Sequence, residues 1–312
     1  MRQYLNLLQD VLDNGTERED RTGIGTIATF GRQIRFNMQD GFPAVTTKSL
    51  SWKAVVSELL WFLEGSTNEH RLAEIKNDNR SYSDLTEKER KTIWTDNYEA
   101  QGRALGYIDG ELGNIYGKQW RAFSSYREAY SHKLDQYGNT IGVNTHYEEV
   151  IVDQVKNVIN EIQNNPNSRR LIVSAWNPVD LPTMSLPPCH YSFQFDVDGD
   201  KLSLMWTQRS VDCFLGLPFN IASYALLLCI VAKITNKTPY MLIGNLGNTH
   251  IYKNHTEQVK EQLRRTPHKL PTLQLPNADY TCIDSFLKSV NTSDFKLINY
   301  EHDSCIKAPM AV

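Results

Sequence analysis

The chain has 312 residues, of which 40% are hydrophobic, and its formal net charge is −3. This length and composition are enough for one large core domain, alone or with a smaller attachment. General nucleic-acid-binding proteins normally carry a basic stripe, and this chain has no long run of Lys or Arg, so we expect no dedicated nucleic-acid site.

Export, membrane insertion and metal binding are also disfavoured by the sequence. The first twelve residues contain Arg2 and Asp10 and lack a cleavage-site pattern, so they do not resemble a signal peptide. The longest apolar run, 221–232, is too short to span a bilayer. The five cysteines are an odd number without CxxC spacing, which predicts neither a disulfide framework nor a zinc site. We therefore expect a cytoplasmic protein with no metal and no membrane contact.

The N-terminal part predicts a helix, a charged loop and a long strand. Apolar residues with helical spacing predict a first helix that ends at Asn14. The loop 16–25 contains Arg21, which we interpret either as part of a solvated turn or as a mobile arginine that closes over an anion. Alternation over 26–38 predicts a strand with one buried face. The residues of that face are Ala28, Phe30, Ile34, Phe36 and Met38.

Glu58 lies on the buried face of the next predicted helix. Ser51 can cap a helix over 52–63. Glu58 comes three residues after Val55 and four before Phe62, so it shares their face. A carboxylate among apolar side chains finds a partner or has its pKa raised. The spacing therefore makes Glu58 a candidate acid or base, against the usual outward-facing glutamate.

The middle of the chain contains two polar segments. Residues 77–91 are typical of a surface excursion, and residues 124–147 are polar and rich in Tyr. Thr145 and Glu148 match the capping box of a helix that would run along 151–162. We therefore expect loop structure before Thr145 and a helix after it.

A β-hairpin is predicted on either side of Asp198 and Gly199. Apolar and aromatic residues alternate in both flanking runs, and an Asp-Gly pair suits a type I′ turn. A one-residue slip would move the aromatic side chains to the other face, so the register should be well specified. With Asp198 and Gly199 as the loop, the predicted pairs are Val197–Asp200, Phe195–Leu202, Phe193–Leu204, Tyr191–Trp206 and Cys189–Gln208.

This register brings four kinds of functional group to one end of the hairpin. They are the side chains of Cys189, His190, Gln208 and Arg209. A thiol becomes a useful nucleophile when a nearby cation favours the thiolate, and the planar guanidinium of Arg209 can also hold a phosphate. The hairpin alone favours the simpler interpretation of a small buried cysteine and a surface arginine, since a lone Cys near an Arg is weak evidence.

The chain after the hairpin predicts a core helix and a pair of polar residues. Residues 221–234 are apolar on nearly all sides, which predicts a buried helix. Asn220 then lies at or just inside its N-terminus and faces the end of the hairpin. His250 and Tyr252 are two residues apart, so they share one side of an extended segment.

Eight blocks of residues, in order along the chain, resemble the thymidylate synthase family. They are 20–23, 58–63, 116–121, 168–170, 187–190, 208–212, 217–224 and 248–252. The resemblance runs from the first helix to Val312 and implies an α+β fold, with a large mixed β-sheet packed with helices. It also implies a single domain over 1–312, with a small domain enlarged at about 76–92 and 123–147.

The activity that this resemblance implies is reductive methylation of dUMP to dTMP. The co-substrate would be 5,10-methylenetetrahydrofolate, which gives the one-carbon unit and the hydride and leaves as dihydrofolate. Cys189 would attack C6 of the uracil ring, and Glu58, working through water, would remove the C5 proton. The other residues that the resemblance places in the catalytic site are Tyr116, His190, Arg209, Asp212 and Asn220.

The resemblance also implies the binding sites. The dUMP site would contain Arg21, Gln208, Arg209, Ser210, Asp212, Asn220, His250 and Tyr252, with Arg169 and Arg170 completing the phosphate site from the partner of a homodimer. Four arginines around one phosphate would also favour the Cys189 thiolate. The folate site would contain Lys48, Trp94, Leu186, Asp212 and the carboxylate of Val312.

Two departures from the family pattern leave alternatives open. Asn97 stands where a second Trp often follows the one corresponding to Trp94, and Asn248 replaces an Asp common before Thr-His. A dUMP hydroxymethylase, which traps the same methylene intermediate with water, would share the nucleotide site. A cytosine-specific hydroxymethylase is expected to carry Asp at the position of Asn220. A catalytically idle RNA-binding or regulatory homologue is the alternative from another class, and intact Cys189 and Glu58 argue against it.

Overall fold

A six-stranded mixed sheet, packed with helices, organises the molecule. The computed structural model describes residues 1–20 and 23–310. The strands are β1 (Thr16–Arg18), β2 (Thr26–Asn37), β3 (Phe123–Leu134), β4 (Thr140–Val152), β5 (Ile172–Ser174), β6 (His190–Asp198), β7 (Lys201–Asp212), β8 (Thr238–Tyr252), β9 (Thr272–Gln274) and β10 (Lys296–Ile298). The large sheet has the order β1-β2-β8-β7-β6-β5, and only β7 and β8 run parallel. This arrangement confirms the predicted α+β fold with a large mixed sheet.

The helices pack against this sheet and against one another. They are α1 (Arg2–Asn14), α2 (Trp52–Glu64), α3 (Glu69–Lys76), α4 (Glu87–Arg90), α5 (Thr95–Asn97), α6 (Tyr116–Ala122), α7 (Gln154–Asn164), α8 (Gly216–Ile234), α9 (Thr256–Leu263) and α10 (Ile283–Lys288). The first helix ends at Asn14 as predicted. The second also matches, although the Ser51 side chain makes no capping hydrogen bond and Gly65 ends the helix with φ of 79°.

Helix α8 is the core helix that the sequence predicts. It contacts β7 and β8, and its side chains are buried on nearly all sides. In the part of the chain that the structure describes, it is the one helix long and apolar enough to cross a membrane, but 78% of its apolar window is buried inside the protein. Its hydrophobicity therefore serves packing within the fold.

The predicted hairpin forms with a different loop. Gly199 and Asp200 make the turn, and the pairs are Val197–Leu202, Phe195–Leu204 and Phe193–Trp206. Gly199 has φ of 61° while Asp200 does not have a positive φ, so the glycine occupies the first central position, as type II′ turns prefer. The loop prediction was therefore wrong by one residue. The change preserves the faces, since each residue keeps a partner from the same side of the other strand.

Thr145 and Glu148 do not form the predicted capping box. Both lie in β4, where Glu148 pairs with Arg127 and makes an ion pair of 2.6 Å with it. The β-branched and aromatic residues of this segment favour an extended chain over a helix. Helix α7 begins later, after Asp153, whose side chain accepts a hydrogen bond from the backbone of Lys156. The segment predicted as loop is thus a projecting hairpin, β3–β4.

Strand β2 ends one residue before the predicted end, and its predicted buried face is only partly confirmed, since Met38 lies beyond the strand and is partly buried. Ala28, Ile34 and Phe36 are buried, whereas Phe30 is 75% exposed. Phe30 precedes Gly31, which has φ of 73°, so the strand departs from regular pleating at this point. Phe30 therefore lies on the open side of the sheet in the single chain.

Candidate active site

The end of the β6–β7 hairpin collects the nucleophile and its neighbours. A bulge in β6 places His190 opposite Gln208, and the backbone N–H of Arg209 donates to the Cys189 carbonyl at 2.8 Å. The backbone N–H of Cys189 donates to the Tyr116 hydroxyl at 2.7 Å. These contacts fix the thiol-bearing residue between the hairpin and α6, so the structure brings the predicted cluster together one residue out of the predicted register.

Arg209 is oriented by the chain on which the thiol lies. Its Nε and Nη2 atoms donate to the carbonyls of Pro188 and Pro187 at 2.9 and 2.8 Å. Burial raises the pKa of Cys189, and the Arg209 charge lowers it by a smaller amount. In the free chain the protonated thiol is therefore favoured, because one guanidinium does not offset the loss of water around a thiolate.

His190 is held as a neutral ring. Its Nδ1 lies 2.8 Å from the hydroxyl of Tyr224, and its ring stacks on Tyr116 with centroids 4.3 Å apart. Burial lowers the pKa of His190 to about 3. Sequence reasoning missed Tyr224 as a functional neighbour; the available signal was a hydroxyl in an otherwise apolar core helix, which must find a partner.

Glu58 points from α2 toward the same region. The Trp94 indole Nε1–H donates to its Oε1 at 2.7 Å. The residue is only partly buried, but its carboxyl group is surrounded by protein. Burial raises the pKa of Glu58 to about 7, and the Trp94 hydrogen bond opposes this rise. Such a carboxyl group can both take and give a proton near neutral pH.

Asn220 lies near the start of α8, and Asp212 is the last residue of β7, just before that helix. The Asn220 Oδ1 atom accepts a hydrogen bond from Gln208 Nε2 at 3.0 Å, which fixes the amide and leaves its N–H₂ group pointing away from Gln208. The Asp212 Oδ1 atom accepts from the backbone N–H groups of Phe214 and Leu215 at 3.0 and 3.2 Å. Both side chains are therefore oriented before any ligand binds.

His250 is oriented by Asn248, two residues earlier in β8. Its Nδ1 lies 2.9 Å from Asn248 Oδ1 and 3.4 Å from the Asn248 carbonyl oxygen. Both of these oxygens accept, so Nδ1 carries the proton and the neutral ring presents Nε2 as an acceptor. Burial lowers the pKa of His250 and favours this neutral form. Tyr252 lies beside it, with ring centroids 5.2 Å apart.

An Asn248→Asp variant tests this role of Asn248. A carboxylate at 2.9 Å would favour the imidazolium, so we expect the pKa of His250 to rise by about 1 or more. The measurement is an NMR pH titration of the His250 ring, assigned by loss of its signal in His250→Asn. Asn164→Asp, at the exposed end of α7, is the matched control. An unchanged His250 titration in Asn248→Asp would contradict the assignment.

The other residues predicted for the binding sites lie in several parts of the fold. Lys48 is buried, and its Nζ donates to the Phe214 carbonyl at 2.5 Å and lies 3.5 Å from the Phe214 ring centroid. Burial lowers the pKa of Lys48 to about 8. Arg169 and Arg170 are exposed in the loop before β5. The positions not yet placed are Ser210, part-exposed in β7, Leu186, which packs against the core, and Arg21 and Val312, which lie outside the described residues.

Over residues 1–20 and 23–310, no group of three His, Cys, Asp or Glu side chains is placed to hold a metal ion. The polar groups of the site include the Cys189 thiol, the Glu58 and Asp212 carboxyl groups, amides, imidazoles and the Arg209 guanidinium. A thiol beside a guanidinium suits nucleophilic catalysis, and the guanidinium can hold an anion.

Comparison with known proteins gives one consistent result. A family model described as thymidylate synthase matches residues 2–312. The chain is 47% identical over 319 residues to the thymidylate synthase of Enterobacteria phage T4, and 45% identical over 340 residues to that of Listeria monocytogenes serotype 4b (strain CLIP80459). Both alignments cover 100% of each protein. The crystal structure of thymidylate synthase from T4 phage matches with a TM-score of 0.84 and 48% identity, covering 100% of both chains.

Proposed function

Since the chain belongs to the thymidylate synthase family, we propose that it converts dUMP to dTMP through a covalent adduct between Cys189 and C6 of the uracil ring. The observation that carries this proposal is the meeting of Cys189 with oriented Arg209 and Asn220 at one hairpin end. The family uses a folate co-substrate, and we propose 5,10-methylenetetrahydrofolate, which supplies the one-carbon unit and the hydride.

The nucleophile is activated by the substrate that it attacks. The free thiol is protonated because burial outweighs Arg209. A bound phosphate would gather more cations, namely Arg21 and the partner subunit's Arg169 and Arg170, and Ser210 would add a hydroxyl. We infer that their positive charge favours the thiolate once the nucleotide is in place. Sulfur then bonds to C6, and the electron pair of the C5–C6 bond moves to C5 and O4.

The uracil ring is recognised by groups that are already oriented. Asn220 would donate its N–H₂ group to O4 and accept from N3–H, which suits uracil and mismatches cytosine. His250 would accept at Nε2 from the deoxyribose 3′-hydroxyl, with Tyr252 beside it. The neutral His190 would order hydrogen bonds near O4, since it cannot act as an acid at neutral pH with its pKa lowered to about 3.

Glu58 performs the proton transfer. After C5 bonds to the one-carbon unit, its proton must leave, and the Glu58 carboxylate takes that proton through water. With its pKa raised to about 7, Glu58 is ionised in part of the population at neutral pH and returns the proton readily. Loss of the C5 proton expels tetrahydrofolate from the one-carbon unit and leaves a methylene group on C5. Tetrahydrofolate then gives its hydride to that methylene group and becomes dihydrofolate, while the Cys189–C6 bond breaks and releases dTMP.

The folate site is supported by an apolar wall and by one residue that must move. Trp94 presents a buried indole next to Glu58, and Leu186 is partly buried and packs against the core. Asp212 is fixed at the end of β7 by the backbone N–H group of Phe214, and we propose that it meets the pterin. Lys48 faces inward toward Phe214, so it contacts a glutamate tail only after its side chain turns outward. This wall also limits the access of water to the methylene group.

The open face of the sheet supports a homodimer, the usual state of thymidylate synthases. A hollow of about 500 Å³ on this face is lined by Phe30, Tyr191, Gly247 and Arg209, among others. Because Arg209 belongs to the proposed phosphate site, a subunit that covers this hollow would lie next to that site. Arg169 and Arg170 are exposed and available to reach a partner.

Mixing two inactive variants tests the shared site. If the partner subunit's Arg169 and Arg170 serve each phosphate, a dimer of Cys189→Ser with Arg169→Ala/Arg170→Ala has one intact site and one doubly defective site. Half of randomly mixed dimers are of this kind, so we expect about 25% of wild-type activity after denaturation and remixing. Each variant refolded alone is the control. Recovery of no activity would show that the arginines act within their own subunit.

Organisation and location complete the proposal. All five cysteines are unpaired, and we place the enzyme in the cytoplasm, where thiols remain reduced. We propose a single domain in which residues 76–92 and 123–147 enlarge the small domain. The first forms short helical turns that include α4, and the second forms most of the β3–β4 hairpin.

The products decide between this function and the hydroxymethylase. One incubation with dUMP and methylenetetrahydrofolate is followed by the near-ultraviolet absorbance of dihydrofolate and by the mass of the nucleotide. Dihydrofolate appearing in step with dTMP is the expected result. Tetrahydrofolate with hydroxymethyl-dUMP would show that water replaces the hydride, and the wall around Trp94 and Asn97 would then explain the change. Tight dUMP binding without turnover would indicate an idle homologue.

A further inference from the structure

Glu69 is a buried carboxylate to which the proposed reaction gives no role. It is the first residue of α3 and is only 2% exposed. Its Oε2 atom accepts hydrogen bonds from the hydroxyls of Thr92 and Thr95, at 3.1 and 3.2 Å. Its Oε1 atom lies 3.9 Å from His70 Nε2. Burial of a carboxylate is unfavourable in free energy, and the hydrogen bonds from the two threonine hydroxyls offset part of this cost.

Both threonine hydroxyls also accept hydrogen bonds from the backbone of the same turn. Thr92 Oγ1 accepts from the backbone N–H of Trp94 at 3.1 Å, and Thr95 Oγ1 accepts from the backbone N–H of Thr92 at 2.9 Å. Each hydroxyl thus receives one backbone hydrogen and lies within donating distance of Glu69 Oε2, and the two hydroxyl oxygens are themselves 3.3 Å apart. The turn 92–95 is therefore tied at both threonines to one carboxylate oxygen.

This turn positions the indole that contacts Glu58. Trp94 lies between the two threonines, and its Nε1–H donates to Glu58 Oε1 at 2.7 Å. Its ring packs on Trp61 and Phe62, with centroids 5.5 and 6.4 Å away. Rotation or displacement of the turn would move the indole donor relative to the carboxyl group. The hydrogen bonds therefore connect Glu69 to Glu58 through one short segment.

We propose that Glu69 is a positioning residue that holds the Trp94 indole donor on Glu58. The proposal rests on the proposed function, since it assigns Glu69 to the support of the residue that moves the C5 proton. Glu69 does not touch the reacting atoms. It acts through Thr92 and Thr95. Their hydroxyls require a hydrogen-bond acceptor at this position, and the acceptor does not have to be charged.

Two variants separate the loss of the Glu69 charge from the loss of its hydrogen-bond acceptor. Glu69→Gln keeps a carbonyl oxygen that can accept from both hydroxyls, whereas Glu69→Met keeps the length of the side chain and removes the acceptor. The buried Thr92 hydroxyl and the partly buried Thr95 hydroxyl then lose the carboxylate and retain only each other, 3.3 Å apart, as side-chain partners, which loosens the turn. Burial raises the pKa of Glu69, opposed by the two threonine hydrogen bonds; Glu99 raises it further and Lys76 lowers it.

The test observes the indole directly and does not require turnover. In protein labelled with ¹⁵N-tryptophan, the Trp94 indole signal is assigned by its loss in Trp94→Phe. In wild type and Glu69→Gln we expect this signal to titrate with Glu58, with a midpoint of about 7. In Glu69→Met we expect a higher midpoint, because the lost Trp94 hydrogen bond normally lowers the pKa of Glu58. We also expect kcat to fall about 10- to 100-fold in Glu69→Met with a smaller change in KM.

The controls separate positioning from folding. Glu99→Val removes a surface carboxylate paired with Arg103 and is expected to leave the titration and kcat unchanged. If Glu69→Met does not fold, Thr95→Val replaces it, with Thr95→Ser restoring the hydroxyl. Wild-type titration and kcat in folded Glu69→Met, or in Thr95→Val, would overturn the proposal. A wild-type protein that forms no dTMP would instead contradict the proposed function and leave the indole titration to decide the role of Glu69.

Discussion

A Cys189→Ser variant is expected to lower kcat for dTMP formation by about 10⁴-fold or more while it still binds dUMP. Serine keeps the size and place of the side chain, and the hydrogen bonds of Cys189 are made by its backbone N–H and carbonyl. The loss of activity is therefore due to the loss of the thiolate nucleophile, because a serine hydroxyl beside Arg209 does not ionise at neutral pH.

The measurement combines steady-state turnover with calorimetric dUMP binding. Cys282→Ser is the matched control, since Cys282 is exposed and caps α10, a position that serine fills well. We expect wild-type kcat in Cys282→Ser and a dUMP affinity within about threefold of wild type in Cys189→Ser. Retention of more than a tenth of wild-type kcat in Cys189→Ser would exclude Cys189 as the nucleophile.

A Glu58→Gln variant is expected to lose activity and gain stability at once. The amide cannot take the C5 proton, so kcat should fall about 10²- to 10⁴-fold. The same change removes a carboxyl group whose ionised form is unfavourable in the folded protein, because burial raises the pKa of Glu58 from its ordinary 4.5 to about 7. The folded state thus binds the Glu58 proton more tightly than the unfolded state, and stability due to Glu58 falls as pH rises between these two values.

The stability gain has a defined pH window. Below pH 4.5 the carboxyl group is neutral in both states, and the two proteins should differ little. Above pH 7 the difference is complete and amounts to at most about 3 kcal/mol in favour of Glu58→Gln. Urea unfolding of both proteins across this range measures it. Glu257→Gln, at a surface pair with Lys260, is the control. Equal stability of wild type and Glu58→Gln above pH 7 would contradict the raised pKa.

Local sequence predicted the parts of the site that depend on periodicity. The spacing of Glu58 relative to Val55 and Phe62 indicated a carboxylate on a buried helical face, and the structure shows a carboxyl group surrounded by protein with a raised pKa. The hairpin alternation placed Cys189 near Arg209, although the turn position was one residue off because Gly199 takes the first central position. The short repeat of a strand or helix indicates which residues share a face, but the exact cross-strand partners depend on the turn, as the hairpin shows.

Contacts between distant segments could not be predicted in this way. Tyr224 meets His190 across 34 residues of sequence, and Glu69 meets Thr92 and Thr95 across 23 and 26. No local periodicity encodes which side chains face each other when α3 packs beside the turn 92–95. The capping box predicted at Thr145 and Glu148 is a local prediction that was wrong. The short motif matched by chance, and the β-propensity of the surrounding residues determined the structure.

The mass of protein quenched during turnover tests the covalent mechanism most directly. The enzyme is mixed with dUMP and methylenetetrahydrofolate, denatured within one turnover, and analysed as intact protein and as peptides. We expect a nucleotide adduct on the peptide that contains Cys189, more abundant in Glu58→Gln, where proton removal is blocked, and absent in Cys189→Ser. An unmodified protein mass throughout active turnover and in Glu58→Gln, or an adduct on another residue such as Cys213, would contradict the account.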